Sequence, residues 1–415
     1  MHALEKIDSK KSLLAICAMM LASLGTIQIQ PIMGGAFVDQ LALPLNAIGT
    51  IFAAELIAMA VACGISAMMM PRIDRRRFVL IALTVLILGN LLSTRADSWL
   101  LLMCSRLICG LGGGGVMAVV FATAGLRTSK DATFAVINSS NLLWGMLVVS
   151  LTPLVLMNFG VNGAFLILAA TGAIALIGTA RIPTHFSVKA GSAKDSIAPL
   201  NLTSLLLILL FALLFLGHSA MWTYQERIGR SIGLEPQQIG AILGASILAG
   251  AIGSALAGII KRRMGLLAPQ LISFSIALVA TLIMVYGNTP LAFAATAGLI
   301  HLSWFFSLPY LLSMSAELDP SGRLAGLGNA AVFVGQGAGP FGAALVVGEG
   351  NFRAVGWLSS TIYILALVIA CIVAARFRRI SNPKIGDARP LHPIDDTSSQ
   401  QRPYIAQSLT PENPR

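Results

Sequence analysis

Runs of roughly 18 to 25 apolar residues, each long enough to cross about 30 Å of hydrocarbon, follow one another through almost the whole chain. In lipid every backbone N–H and C=O has to be satisfied internally, so such runs fold as membrane-spanning helices. Twelve spans are read, at 13–37, 45–70, 78–94, 99–125, 133–157, 163–180, 200–224, 237–260, 266–286, 290–316, 325–347 and 354–375. The 415 residues are 56% hydrophobic and 11% charged, which leaves no stretch for a sizeable soluble domain. The first run follows Lys10-Lys11 and is too long for a signal-peptide core, so it is expected to be retained.

An even number of spans puts both termini on one side, and the Lys/Arg bias says which. One set of loops carries Lys6, Lys10, Lys11, Arg72, Arg75, Arg76, Arg77, Arg127, Lys130, Arg181, Lys189, Lys194, Lys261, Arg262, Arg263 and Arg323; the other carries Arg95, Arg227, Arg230 and Arg353. Both termini are therefore expected in the cytoplasm of a cell membrane, by expectation the bacterial inner membrane. Topology accounts for the net charge of +11 without a nucleic-acid partner. Cys17, Cys63, Cys104, Cys109 and Cys371 all fall inside spans, which gives neither a disulfide framework nor a metal cluster.

Two charges sit inside the apolar runs. Arg106 lies in the fourth span, where burying a guanidinium costs several kcal/mol unless a cavity, an acidic partner or an anionic ligand receives it. Glu55 lies about ten residues into the second span, roughly 15 Å of helix rise, at a depth similar to that of Arg106. Two readings stay open: a proton-sensitive pair, or a static ion pair. After Arg106, Gly110-Leu-Gly112-Gly-Gly-Gly115 fits a dinucleotide fingerprint, but no strand precedes it; Gly110 and Gly114, one turn apart, read instead as a close helix contact. The first span adds Gln28, Gln30 and Pro31, then Gly34-Gly35: a kink with amides that either face inward or bridge helices.

After the second span comes Ala67-Met-Met-Met-Pro71-Arg72-Ile73-Asp74-Arg75-Arg76, and after the eighth Gly258-Ile-Ile-Lys-Arg262-Arg263-Met264-Gly265. Both resemble the G-x-x-x-D-R-x-G-R-R loop motif of the major facilitator superfamily, in the two places where its duplicated halves carry it. Pro71 and Arg262 stand where the motif has aspartate. Arg106 and Gly110 match the superfamily's R-x-x-x-G pattern, whose arginine is implicated in proton coupling. Gly335-Gln-Gly-Ala-Gly339-Pro340-Phe-Gly-Ala343 in the eleventh span looks like an antiporter signature usually carried in the fifth; the fifth-span stretch from Gly145 to Pro153 has lost the central Gly-Pro pair.

The resemblance implies an all-α membrane protein of two pseudo-symmetric six-helix bundles, at 13–180 and 200–375. It places a cytoplasmic N-terminus at 1–12, a central loop at 181–199 and a tail at 376–415, which its composition predicts to be disordered. Spans one, four, seven and ten are implied to line a cavity. Unusual side chains gather there: Gln28 and Gln30; Arg106; His218, Ser219, Trp222 and Tyr224; His301, Trp304, Ser307 and Tyr310. Each histidine reads either as a proton or solute ligand or as an interhelical hydrogen-bonding residue.

The expected function is secondary active transport of a small amphipathic organic solute, an organic anion included, by alternating access and with protons as coupling ion. Export of hydrophobic compounds by proton antiport is the alternative, and a membrane sensor without transport is a second class. No P-loop, metal-ligand spacing or nucleophile–base motif supports an ATP-driven or enzymatic reading. No cofactor is expected, and the chain is expected to act as a monomer.

Overall fold

The computed structural model describes residues 7–70, 72–182, 201–260, 263–319 and 323–381, and among these the secondary structure is helical, with no strand. Helices α1 (Lys10–Leu41), α2 (Leu45–Met69), α3 (Arg75–Ser93) and α4 (Trp99–Ala124) are followed by one stretch, Lys130–Ile177, that breaks at Gly160; its limbs 130–159 and 161–177 are α5 and α6. After a short 3-10 turn at Gly178–Arg181 come α7 (Leu202–Ser231), α8 (Pro236–Ile260), α9 (Leu267–Tyr286), α10 (Pro290–Leu318), α11 (Arg323–Val347) and α12 (Phe352–Ser381). Most of the expected central loop, and the tail from 382, lie outside the described residues.

Gly160 turns the chain back on itself. Its φ of 63° and ψ of −171° belong to a region open essentially to glycine alone. Gln40 of α1 clamps the turn, donating to the Leu156 carbonyl at 3.2 Å and accepting from the Val161 N–H at 2.9 Å. Going up α1, Cys17 meets Ser140 and Gln28 meets Asn141 of α5, so those helices run in the same direction. α6 runs the other way, from Val161 beside Gln40 to Gly178 beside Ala15.

Caps and not hydropathy set where helices begin, so α1 and α3 start ahead of their apolar runs. Ser9 accepts from the Ser12 N–H at 3.2 Å, Asn201 from Ser204 at 2.9 Å, and the Asp74 carboxylate from Arg76 and Arg77 at 3.0 and 3.1 Å. Within α4 the glycines bring backbones together. A Cβ built on Gly110 would lie 2.1 Å from the Glu55 carbonyl oxygen, and one on Gly114 2.2 Å from that of Met59, so two glycines one turn apart rest on two turns of α2. Gly112 does the same against α3, where a Cβ would lie 2.5 Å from the Leu86 nitrogen.

α1–α6 and α7–α12 form two halves joined along two matching seams. Gly49, in the first turns of α2, packs on the Pro340 carbonyl of α11; Gly240, at the same place in α8, packs on Pro153 of α5. Gly244, one turn further, packs on Ser150. The fifth span thus makes a close contact without a central Gly-Pro pair, because Gly240 and Gly244 of the helix it faces leave the room.

The apolar core shows how the halves are held. On the side opposite the termini, here the far side, one cluster runs through both halves, from Phe37, Phe52 and Phe165 to Met221, Ile239 and Phe293. On the terminus side the packing is separate in each half: Ile16, Leu83 and Val119 in the first, Phe211, Phe274 and Val373 in the second, with a small cluster of Ala257, Phe306 and Tyr310 beside the latter. The halves are sealed together at the far side and separately packed at the other.

Gly110→Leu should abolish folded yield, read as a monodisperse peak in fluorescence-detected size-exclusion chromatography, because it drives a side chain into a carbonyl oxygen. Gly64→Leu, at a position with nothing within 4 Å of a Cβ, should leave the peak intact.

Candidate functional site

The first half carries a buried charge centre. Arg106 is fully buried, and its guanidinium makes five hydrogen bonds: Nε to Glu55 Oε2 at 3.0 Å, Nη2 to Glu55 Oε1 at 2.5 Å and Thr26 Oγ1 at 2.7 Å, Nη1 to Asn90 Oδ1 at 2.9 Å and Ser93 Oγ at 3.4 Å. A guanidinium has five N–H groups, so none is left over. Phe165 of α6 lies under it, 5.4 Å from Cζ to the ring centroid. One side chain of α4 thereby holds α1, α2, α3 and α6. Removing one member of such a buried pair typically costs about 3–5 kcal/mol, since the other charge is stranded.

The far-side seal is built from the last turns of α7. Going outward, Trp222 Nε1 donates to the Ile27 carbonyl at 3.0 Å, Thr223 Oγ1 accepts from Gln30 at 2.7 Å, and Tyr224 donates to the Leu45 carbonyl at 3.1 Å. At the rim Arg227 forks onto Asp39, both bonds at 2.7 Å, and also reaches Glu226 at 2.5 and 2.9 Å. The glycine pair of α1 makes room for this: a Cβ on Gly35 would lie 2.1 Å from the Glu226 carboxylate. Pro31 contributes by what it lacks. Without an N–H it cannot bond the carbonyl four residues back, that of Ile27, and Trp222 takes that carbonyl from across the seam.

Between the seal and the terminus side lies a cavity of ≈ 970 Å³ of atom-free space, part of it open to solvent. Its wall combines apolar residues with five carboxamides: Gln28 of α1, Asn138 and Asn141 of α5, Asn329 and Gln336 of α11. His301 and Trp304 of α10 complete it, and among the described residues no Asp, Glu, Lys or Arg lines it. Gln28 is braced by Asn141, to whose Oδ1 it donates at 3.1 Å. His218 stacks on Trp304 with centroids 4.0 Å apart, meets His301 edge-on at 5.0 Å and lies parallel to Trp222 at 6.3 Å.

Of the residues singled out in the sequence, Gln28, His301 and Trp304 face the cavity, with His218 behind them. Gln30 and Trp222 belong to the seal. Arg106 is not in the cavity wall but in the first half's interior, because Glu55 and three neutral partners saturate it there. Tyr310 points away from the cavity, packing on Phe306 and donating to the Ala257 carbonyl at 3.5 Å. Of the loop arginines, Arg72, Arg76 and Arg263 are exposed, while Arg75 is buried. Gly258 has open space around it, and Gly265 takes a φ of 71° just past α8. Gly335 and Gly339 press α11 onto α7, where an added Cβ would lie 2.1 Å from the Ala212 carbonyl oxygen and 2.0 Å from Ser219 Oγ, and Pro340 meets Gly49. Asp39 and Glu226 were not legible as site residues: both stand at span ends, where charge is ordinary, and Arg227 was counted as loop charge.

The superposition with solved structures is extensive although the sequences have diverged. A crystal structure of a variant of the nucleoside transporter NupG shares 14% identity at a TM-score of 0.70, covering 89% of this chain and 100% of that one. A second NupG crystal structure shares 15% at 0.65, with 91% and 100% covered. At this identity the likeness is one of fold. No curated protein sequence gives a significant match. The Major Facilitator Superfamily profile matches residues 13–340, most of the spanning region, and the chain is a member of that superfamily of transporters.

Proposed function

We propose that the protein is a secondary active transporter that moves a small, uncharged, amphipathic organic solute by alternating access, with protons as the coupling ion. The observation that carries this is the cavity: it lies between two halves that share one core on the far side only, so rocking them about the seam would close the near side and open the far one. The Lys/Arg bias of the loops supports a cytoplasmic terminus side. The wall favours a neutral solute over an organic anion, since carboxamides donate and accept hydrogen bonds but cannot balance a charge. The NupG structures are those of a nucleoside transporter, and a nucleoside is a solute of this neutral, amphipathic kind.

Glu55 and Arg106 are proposed as the coupling pair. Protonating Glu55 removes the counter-charge from a guanidinium that ties five helices together, so the two protonation states favour different packings of the first half. Antiport export is the second reading, and it rests on the likeness of the stretch from Gly335 to Ala343 to an antiporter signature.

Glu55→Gln should lose accumulation driven by a pH gradient in proteoliposomes while keeping part of solute exchange, which needs the cavity but no proton. Arg106→Ala should lose both, and Arg106→Lys should rescue little, because a point charge cannot replace the five-bond fork. Full pH-gradient dependence in Glu55→Gln would reject the pair as the coupling site. Epitope tags inserted at the 181–199 loop should be labelled only from the cytoplasm; labelling from outside would reverse the topology.

A further inference from the structure

Among the described residues the second half has no buried cation to match Arg106, but it holds polar atoms without a hydrogen-bond partner. His218 is 4% exposed and its Nδ1 has no hydrogen-bond partner; Trp304 Nε1 is likewise buried and unpartnered. A buried polar group left without a partner is destabilising, so two of them side by side, Trp304 in the cavity wall and His218 directly behind it, favour a ligand that supplies the missing bonds. The third member is His301. Its Nδ1 lies 3.2 Å from the Ala297 carbonyl, which can only accept; the proton therefore sits on Nδ1, and Nε2 of the neutral ring is an acceptor.

The three rings are neighbours, with centroid separations of 4.0 Å for His218 and Trp304, 5.0 Å for His218 and His301 and 6.1 Å for His301 and Trp304. They present one obligate donor in the Trp304 N–H, one acceptor in His301 and one group of either sense in His218. Around them stand the flat faces of Phe305, 4.6 Å from Trp304, and Phe215, edge-on at 4.8 Å. An N–H donor and a ring-nitrogen acceptor one ring apart complement a ligand that carries a carbonyl beside its own N–H. The aromatic frame admits a flat ring, and the wall offers an anion no counter-charge.

We propose that His218, His301 and Trp304 form a polar subsite of the cavity that takes the carbonyl and N–H edge of a flat, uncharged heterocycle. This rests on the reading of the cavity as a solute site and narrows it to a ligand class. The heterocyclic ring lies against the aromatic side chains while the five carboxamides remain for polar substituents on the rest of the solute.

The test uses the full chain in nanodiscs, with uracil, 1,3-dimethyluracil and orotate as probes, read by ligand-dependent thermal unfolding and by tryptophan fluorescence. Uracil should bind. Dimethyluracil, which keeps the carbonyls but not the N–H groups, and orotate, which adds a carboxylate, should each bind at least about tenfold more weakly. Trp304→Phe keeps an aromatic ring on His218 but deletes the N–H that meets a ligand carbonyl, so it should weaken uracil about tenfold and dimethyluracil as well; His218→Phe keeps a ring and deletes the nitrogens, and should weaken uracil about tenfold and leave dimethyluracil unchanged. Uracil bound equally well by parent and both variants, or by none of the three, would overturn the subsite. Uptake of radiolabelled uracil into proteoliposomes separates this from the transport reading: binding with these preferences but without flux would keep the subsite and reject transport, while flux indifferent to Trp304→Phe would do the reverse.

Discussion

Inside a bilayer apolar surface gains nothing by leaving lipid for protein, so helices stay together only through close backbone contact and satisfied polar groups. Both devices meet in α4. Its glycines let α2 and α3 approach to backbone distance, and that approach brings Glu55 and Asn90 within reach of Arg106. Neither works alone: with larger residues in α4 the acceptors would stand too far off, and without the acceptors the guanidinium would be stranded in the interior. The first half is thus organised around a charge that must be answered from four sides.

The second half solves the same problem with rings in place of charge. His218, Trp222, His301 and Trp304 contact one another across α7 and α10, and their nitrogens are divided between the seal and the cavity wall. The two halves share a fold and a seam geometry but differ in the chemistry at their centres. Under the proposed coupling, a protonation event in one half and a binding event in the other would communicate through the helices that meet at the seams, α1 with α7, α2 with α11 and α5 with α8.

Much of this was legible in the sequence because a bilayer restricts what a chain can do. Apolar length gave the spans, and the cost of an intramembrane charge together with helix rise brought Glu55 and Arg106 to one depth before any contact was known. What the sequence left open was direction around each helix axis. Depth alone does not say that Tyr310 turns toward α8 or that Arg106 turns inward from the cavity, since both depend on which neighbour presents a partner. The seam glycines of α8 were missed for a related reason: Gly240 and Gly244 lie in a helix rich in small residues, and only the position of Pro153 and Ser150 opposite them gives them a role.

Pro31 adds a kinetic consequence. The Ile27 carbonyl has no N–H of its own helix to return to, so while the seam is dry Trp222 is its partner, and the indole has the same need in reverse. The two can separate cheaply only when water reaches both. In the proposed alternating access, wetting of the far-side seam and its parting would then be one event, with the barrier to exposing the far side set less by the strength of any single contact than by how readily water enters beneath Arg227.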